Sequence, residues 1–194
     1  MAFELVVVGT SRGGLKALQT MLSGLHYEFS LPVVVVQHRS KEMETGLCQF
    51  VASHCALPVC EPDDKQPIEG GRVYLAPRDY HLMIEDGAFA LSTDSPVAFA
   101  RPSIDVLFES AADEYRERVV GVILTGQNRD GARGLAAIKA RGGMTIVQEP
   151  DSAESKEMPR AAIATTQVNW ILSLEEIAPR LNQLSKSNAL QYGS

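Results

Sequence analysis

The stretch Leu5-Val6-Val7-Val8-Gly9-Thr10-Ser11-Arg12-Gly13-Gly14-Leu15-Lys16-Ala17-Leu18 decides how this chain is read. Its opening apolar run, rich in stiff β-branched residues, has the character of a strand buried on both faces. The glycines that follow permit a tight turn, and Leu15-Lys16-Ala17-Leu18 then opens a helical pattern. A strand that passes straight into a helix is the building unit of a parallel α/β sheet. The same turn sets the Ser11 hydroxyl at the carboxyl end of the strand. There the first free N–H groups of the helix can stabilise an oxyanion.

Working outward, short apolar runs alternate with segments of helical periodicity. Strands are expected near 4–8, 33–37, 57–60, 119–124, 144–147 and 169–172. Helices are expected near 14–23, 43–54, 103–115, 131–140, 158–163 and 174–183, with Ser103 as an N-cap and Gly142-Gly143 as a stop. Residues 72–92 break the rhythm. Two period-two runs, Tyr80-His81-Leu82-Met83-Ile84 and Ala88-Phe89-Ala90-Leu91, are joined at Glu85-Asp86-Gly87 and read as an antiparallel hairpin that extends or flanks the sheet. The fold class is therefore α/β: a three-layer, doubly wound, mostly parallel sheet with an antiparallel hairpin. The polar segment after about Ser185 is expected to fray.

The length of 194 residues suits one such domain. No apolar run has the length of a membrane helix or the flanks of a secretion signal, which points to the cytoplasm and against membrane insertion. Cys48, Cys55 and Cys60 are odd in number and lack C-x-x-C spacing, which fits a reducing compartment. His54 lies among them, but packing explains it better than a metal site, and no metal is assigned. A net charge of −6 argues against nucleic acid as a partner. Arg12, Arg39, Arg78, Arg101 and Arg129 nevertheless fall at the ends of expected elements. If those ends converge, they make a locally positive mouth for an anionic partner; the alternative is ordinary solvated loops.

Ligands of open parallel sheets bind outside the carboxyl ends of the strands. Three such ends carry complementary chemistry: Ser11, His38 after Val33-Val34-Val35-Val36-Gln37, and Asp130 after Val122-Ile123-Leu124-Thr125-Gly126. Each has a plain alternative. Ser11 and Asp130 could cap helices, and His38 could be a core-edge histidine. Together they compose a Ser, His, Asp triad. His38 would take the Ser11 proton, Asp130 would fix the imidazole, and backbone N–H groups after Ser11, with one from the Gly126–Asn128 loop, would hold the oxyanion.

Gly9-Thr10-Ser11-Arg12-Gly13 matches G-x-S-x-G, yet the α/β-hydrolase order of Ser, acid, His fails because no histidine follows His81. A P-loop would need Lys where Leu15 stands. A dinucleotide fingerprint would need Gly at Ser11 and an acid where the second strand ends in Gln37-His38.

Taken in order, Gly9-Thr10-Ser11-Arg12-Gly13-Gly14, Gln37-His38, Arg101-Pro102-Ser103-x-Asp105, Leu124-Thr125-Gly126-x-x-x-Asp130-Gly131-Ala132 and Met158-Pro159-Arg160-Ala161-Ala162 resemble the CheB-type chemotaxis protein-glutamate methylesterase domain. The resemblance spans nearly all of residues 4–182. It implies hydrolysis of glutamate methyl esters on the cytoplasmic helices of methyl-accepting chemoreceptors, with release of methanol, and deamidation of receptor glutamines. It maps nucleophile, histidine and aspartate onto Ser11, His38 and Asp130, and it implies no cofactor. The chain departs from the family pattern at Arg12, where a small residue is usual. It departs again at Thr125-Gly126-Gln127-Asn128, where Thr-Gly-Met-Gly is common. On this reading residues 1–184 form the catalytic domain and 185–194 a polar tail. No receiver domain is present in the sequence, so a receiver-domain regulator would act in trans or belong to a longer form. Two other functions stay open: a non-catalytic module that binds a receptor or signalling protein, and an esterase or amidase of another substrate.

Overall fold

The structure, a computed structural model, describes residues 2–38 and 46–192, with side-chain surroundings through Lys186. Among the described residues nine strands form: β1 (Leu5–Thr10), β2 (Val33–Gln37), β3 (Val59–Cys60), β4 (Val73–Leu75), β5 (His81–Glu85), β6 (Ala88–Ser92), β7 (Val119–Ile123), β8 (Met144–Gln148) and β9 (Trp170–Leu172). Six α-helices accompany them in the described residues: α1 (Gly14–Ser23), α2 (Leu47–Ala52), α3 (Ile104–Tyr115), α4 (Ala132–Ala140), α5 (Glu157–Thr165) and α6 (Leu174–Tyr192). Seven strands pair in the order β3-β4-β2-β1-β7-β8-β9, all parallel.

The apolar runs are continuous because both faces of the sheet are covered. Side chains alternate across a strand, so Val6 and Val8 of β1 enter a core with Val33, Val35, Leu18 of α1 and Ile177 of α6. Leu5 and Val7 enter a second core with Val34, Val36, Phe108 of α3 and Leu135 of α4. That is the expected three-layer, doubly wound arrangement.

The segment 72–92 divides. Val73–Leu75 adds to the parallel sheet beside β2, and β5 and β6 form a separate antiparallel pair, with Leu82, Ile84 and Phe89 packed into the second core. The hairpin therefore flanks the sheet. The Asp86-Gly87 turn has positive φ at both residues, 51° and 72°, as a tight hairpin requires. The part of the expected 43–54 helix before Gly46, and Arg39, lie outside the described residues.

At the C-terminus helix α6 runs on to Tyr192, beyond the point near Ser185 where the polar tail is expected to begin. Ser185 is buried and its hydroxyl accepts the Ser30 N–H at 3.1 Å, while Leu184 packs against the first core. Those contacts anchor the helix as far as Ser185.

Candidate active site

Strands β1, β2 and β7 are adjacent, so their carboxyl ends deliver Ser11, His38 and the 124–130 loop to one edge of the sheet. Ser11 follows β1 by one residue. Its N–H donates to Thr125 O at 3.0 Å, and its own carbonyl accepts the Gly14 N–H at 2.9 Å. The turn needs its glycines. Gly13 has φ of 78°, and a Cβ at Gly14 would lie 1.9 Å from Gln37 Oε1. Gln37 Nε2 donates to the carbonyls of Ser11 and His38 at 2.8 and 2.7 Å, clamping the two strand ends together.

Thr125 locks the other side. Its carbonyl accepts both the Ser11 N–H and the Thr10 hydroxyl, and its hydroxyl donates to Arg12 O at 2.8 Å.

Asp130 has no exposed side chain, and its Oδ2 lies 2.8 Å from His38 Nε2, on a ring only 12% exposed. As the residue before α4, Asp130 has the sequence position of a cap for that helix. It instead caps α3. Its Oδ1 accepts Ser103 Oγ and Asp105 N, both at 2.9 Å, and its Oδ2 accepts Ile104 N at 2.7 Å. Burial pushes the Asp130 pKa up. The hydrogen bonds from His38 and from the Asp105 and Ile104 N–H groups outweigh it and leave the carboxyl below its ordinary range.

Asp105 returns the favour across the helix pair, its Oδ1 accepting Gly131 N at 2.9 Å and Gly134 N at 2.8 Å at the start of α4. Its pKa is raised, first by burial and also by the Asp130 charge, against the lowering bond from Gly134. Two antiparallel duties are thus exchanged: the carboxylate before α4 holds α3, and a carboxylate within α3 holds α4.

His81, on β5, completes the support. Only 2% exposed, it accepts Ser103 N at Nδ1 (3.3 Å) and bonds Ser95 O through Nε2 (3.2 Å).

The tautomer of His38 follows from its neighbours. Asn128 Oδ1 accepts the Asp130 N–H at 3.2 Å, which orients the amide and turns Nδ2 toward His38 Nδ1 at 3.1 Å. An amide NH₂ can only donate, so Nδ1 is the acceptor and Nε2 carries the proton that is given to Asp130. The Ser11 hydroxyl makes no hydrogen bond among the described residues.

Ser11 and His38 line two clefts, one on each side. The larger, about 590 Å³, is walled by Arg78, Arg101, Asn128 and the 96–102 segment. The second, about 540 Å³, is walled by Arg12, Gly13, Gln127 and Glu154. Of the five arginines at element ends, Arg12, Arg78 and Arg101 meet these clefts; Arg129 is exposed on the 124–130 loop. Arg101 also donates from Nη1 to Thr93 O and Asp94 O, at 2.8 and 3.0 Å. Phe99, fully exposed, stands at the rim of the larger cleft.

The Gly126 N–H is spent on Ser155 O at 3.1 Å, whereas the Arg12 and Gln127 N–H groups have no acceptor among the described residues. Arg12 and Gln127 line the second cleft together with Ser11. Among the described residues, no group of three or more His, Cys, Asp or Glu side chains is placed to hold a metal ion.

Sequence reading missed Asn128, the His81 tether and the reciprocal use of Asp105. Ser103 was legible as a cap for α3, and it accepts from Val106 N at 3.5 Å, but its donation to Asp130 had no local signal.

An open α/β sheet with Ser, His and Asp at the carboxyl edge of three adjacent strands defines a domain of serine-esterase layout. The CheB methylesterase family model matches residues 6–181, and the chain belongs to that family. A Leptospira interrogans protein, provisionally named a protein-glutamate methylesterase/protein-glutamine glutaminase, is 44% identical over 98% of this chain and 100% of its own length. An Anaeromyxobacter dehalogenans protein of the same name is 40% identical over 94% of this chain, which spans 54% of that relative. The crystal structure of the Thermotoga maritima CheB methylesterase catalytic domain superimposes with a TM-score of 0.89 at 30% identity, covering 95% of this chain and all of that one.

Proposed function

We propose that this protein hydrolyses glutamate methyl esters of chemoreceptors, releasing methanol, and deamidates receptor glutamines, with Ser11, His38 and Asp130 as its catalytic residues. The observation that carries the reading is the buried 2.8 Å pair between Asp130 and His38, placed at the cleft that Ser11 lines. Family membership and the names of the relatives support the substrate class.

Because Nε2 is committed to Asp130, Nδ1 is the working base. Ser11 Oγ attacks the ester carbonyl carbon as its proton passes to Nδ1. The tetrahedral oxyanion is held by the Arg12 and Gln127 N–H groups. On collapse the C–O bond to the methoxy group breaks, the proton on Nδ1 goes to the leaving oxygen, and methanol departs. Water then repeats the sequence on the acyl-enzyme and leaves a carboxylate and the free serine. With a glutamine, ammonia leaves in place of methanol.

Asp130 stabilises the imidazolium at each step without accepting its proton, which suits a carboxyl held below its ordinary range. Arg12, Arg78 and Arg101 at the clefts favour an acidic helical surface such as a receptor bundle. Such a partner also implies the cytoplasm. No helix of the described residues is long and apolar enough to cross a membrane.

The test is methanol release from methylated receptor cytoplasmic fragments by the parent, Ser11→Ala and Asp130→Asn. Release by the parent that is abolished in Ser11→Ala supports the reading. A folded parent that binds receptor but releases no methanol overturns it.

A further inference from the structure

The His38 ring is hydrogen-bonded on both sides in the free protein. Nε2 gives its proton to Asp130, and Nδ1 receives the Asn128 amide at 3.1 Å. Neutral Nδ1 has one in-plane lone pair, so it cannot accept from Asn128 and take the Ser11 proton at the same moment. Asn128 is not a bystander that drifted into range. Its Oδ1 is fixed by the Asp130 N–H at 3.2 Å, so the residue after next in the chain aims the amide at the ring. It is half-buried, and its side chain faces the larger cleft, which leaves room for it to withdraw. The Ser11 hydroxyl, with no hydrogen bond of its own among the described residues, lines the same cleft as His38 and Asn128.

We infer that Asn128 is a positioning residue that occupies the proton-accepting nitrogen of His38 in the free protein, and that it must leave that nitrogen before Ser11 can be activated. The inference rests on the assignment of Ser11 and His38 as nucleophile and base. While seated, Asn128 holds the ring in the tautomer that the reaction needs. When substrate enters the larger cleft and displaces the amide, Nδ1 becomes free to take the Ser11 proton. Resting reactivity toward adventitious esters is thereby held down, and the bond must be broken on each encounter.

A net hydrogen bond of this kind corresponds to a factor of about 2 to 10 in an equilibrium. The test uses the full chain with ¹⁵N-labelled histidine and the variants Asn128→Gly and Asn128→Leu, the second keeping bulk without a donor. Two quantities are read: the His38 imidazole ¹⁵N resonances, and the second-order rate of Ser11 modification by a sulfonyl fluoride, with Ser11→Ala as the blank. The expected result is that Nδ1 moves toward the unbonded position in both variants while Nε2 stays protonated, and that modification of Ser11 accelerates about 2- to 10-fold.

An unchanged Nδ1 resonance, or slower modification in both variants, overturns the inference. Slower modification is what a merely structural role for Asn128 would give. Failure of the underlying assignment looks different: no modification at Ser11 in the parent or in either variant. That outcome removes the gating role, while the Nδ1 resonance still reports on the contact itself.

Discussion

Replacing Asp130 by Asn separates what the carboxylate does for the fold from what it does for the reaction. The parent side chain only accepts: Ser103 Oγ and Asp105 N on one oxygen, Ile104 N and His38 Nε2 on the other. An amide has one accepting oxygen and one donating nitrogen, so one pair of partners must face an NH₂ group. If the nitrogen takes the Oδ2 position, the Ile104 N–H is orphaned, and His38 can adapt only by shifting its proton to Nδ1. If it takes the Oδ1 position, Ser103 can rotate to accept but the Asp105 N–H is orphaned.

Either way one buried backbone donor is lost, at about 1–3 kcal/mol. Loss of the negative charge at the start of α3 adds about 0.3–1 kcal/mol. The expected destabilisation is about 1–4 kcal/mol, which for a chain of this size lowers Tm by roughly 3–15 °C. The shift is read by thermal or urea unfolding followed by circular dichroism. Because folding lowers the Asp130 pKa, the stability its charge supplies is complete above the ordinary carboxylate range and is lost as the pH falls through the lowered value. The gap between parent and variant therefore narrows in acid.

The first orientation also puts the histidine proton on the nitrogen that should act as base, and activity is expected to fall by about 10⁴ in kcat. An Asp130→Asn protein as stable as the parent at neutral pH, or one that keeps a tenth of its activity, would refute this account of the carboxylate.

Asp105→Asn should behave in the opposite way. Its amide oxygen can keep both the Gly131 and Gly134 bonds, and the substitution removes a buried charge beside Asp130. Folding raises the Asp105 pKa, so ionisation opposes folding once the pH exceeds the ordinary carboxylate range; the variant should match or exceed parental stability at neutral pH in urea melts. Gly14→Ala would drive a Cβ to 1.9 Å from Gln37 Oε1 and should cost about 2–4 kcal/mol together with most of the activity, measured by unfolding and methanol release. Ser11→Ala should abolish methanol release while leaving the denaturation midpoint within about 0.5 kcal/mol of the parent, since its hydroxyl supports nothing among the described residues. Phe99→Ala, at a fully exposed rim position, should leave stability and hydrolysis of a small aryl ester unchanged and raise KM for receptor fragments severalfold; equal KM for the receptor would exclude Phe99 from docking.

What could be read from the sequence divides by the range of the interaction. The parallel sheet was legible because its cause is local: runs such as Leu5–Val8 and Val33–Val36 are apolar on both faces, and each is followed by a turn and a helical period. That Ser11, His38 and Asp130 share one edge of the sheet was legible by one further step, since the ends of adjacent parallel strands lie together. Which strands are adjacent is a tertiary fact, and so the fate of 72–92 was half seen. Val73–Leu75 lies in the segment that breaks the rhythm and has no strand assigned to it in sequence, yet it pairs with β2 and fills the place beside Val33–Val35.

The support beneath the trio was invisible for the same reason. Asp130 has the local look of a cap for α4, and Ser103 the look of a cap for α3. The structure adds that Asp130 holds the helix that Ser103 begins, and that Asp105 holds the helix that follows Asp130. No local rule links positions 26 residues apart. This exchange has a mechanical consequence: the carboxylate that orients His38 cannot move without unseating the first turn of α3, whose Ser103 is tethered in turn to His81 on the hairpin. The hairpin, silent in any reading of chemistry, thus bears on the geometry of the imidazole. Loosening it at His81 should disturb the reaction before it disturbs the sheet.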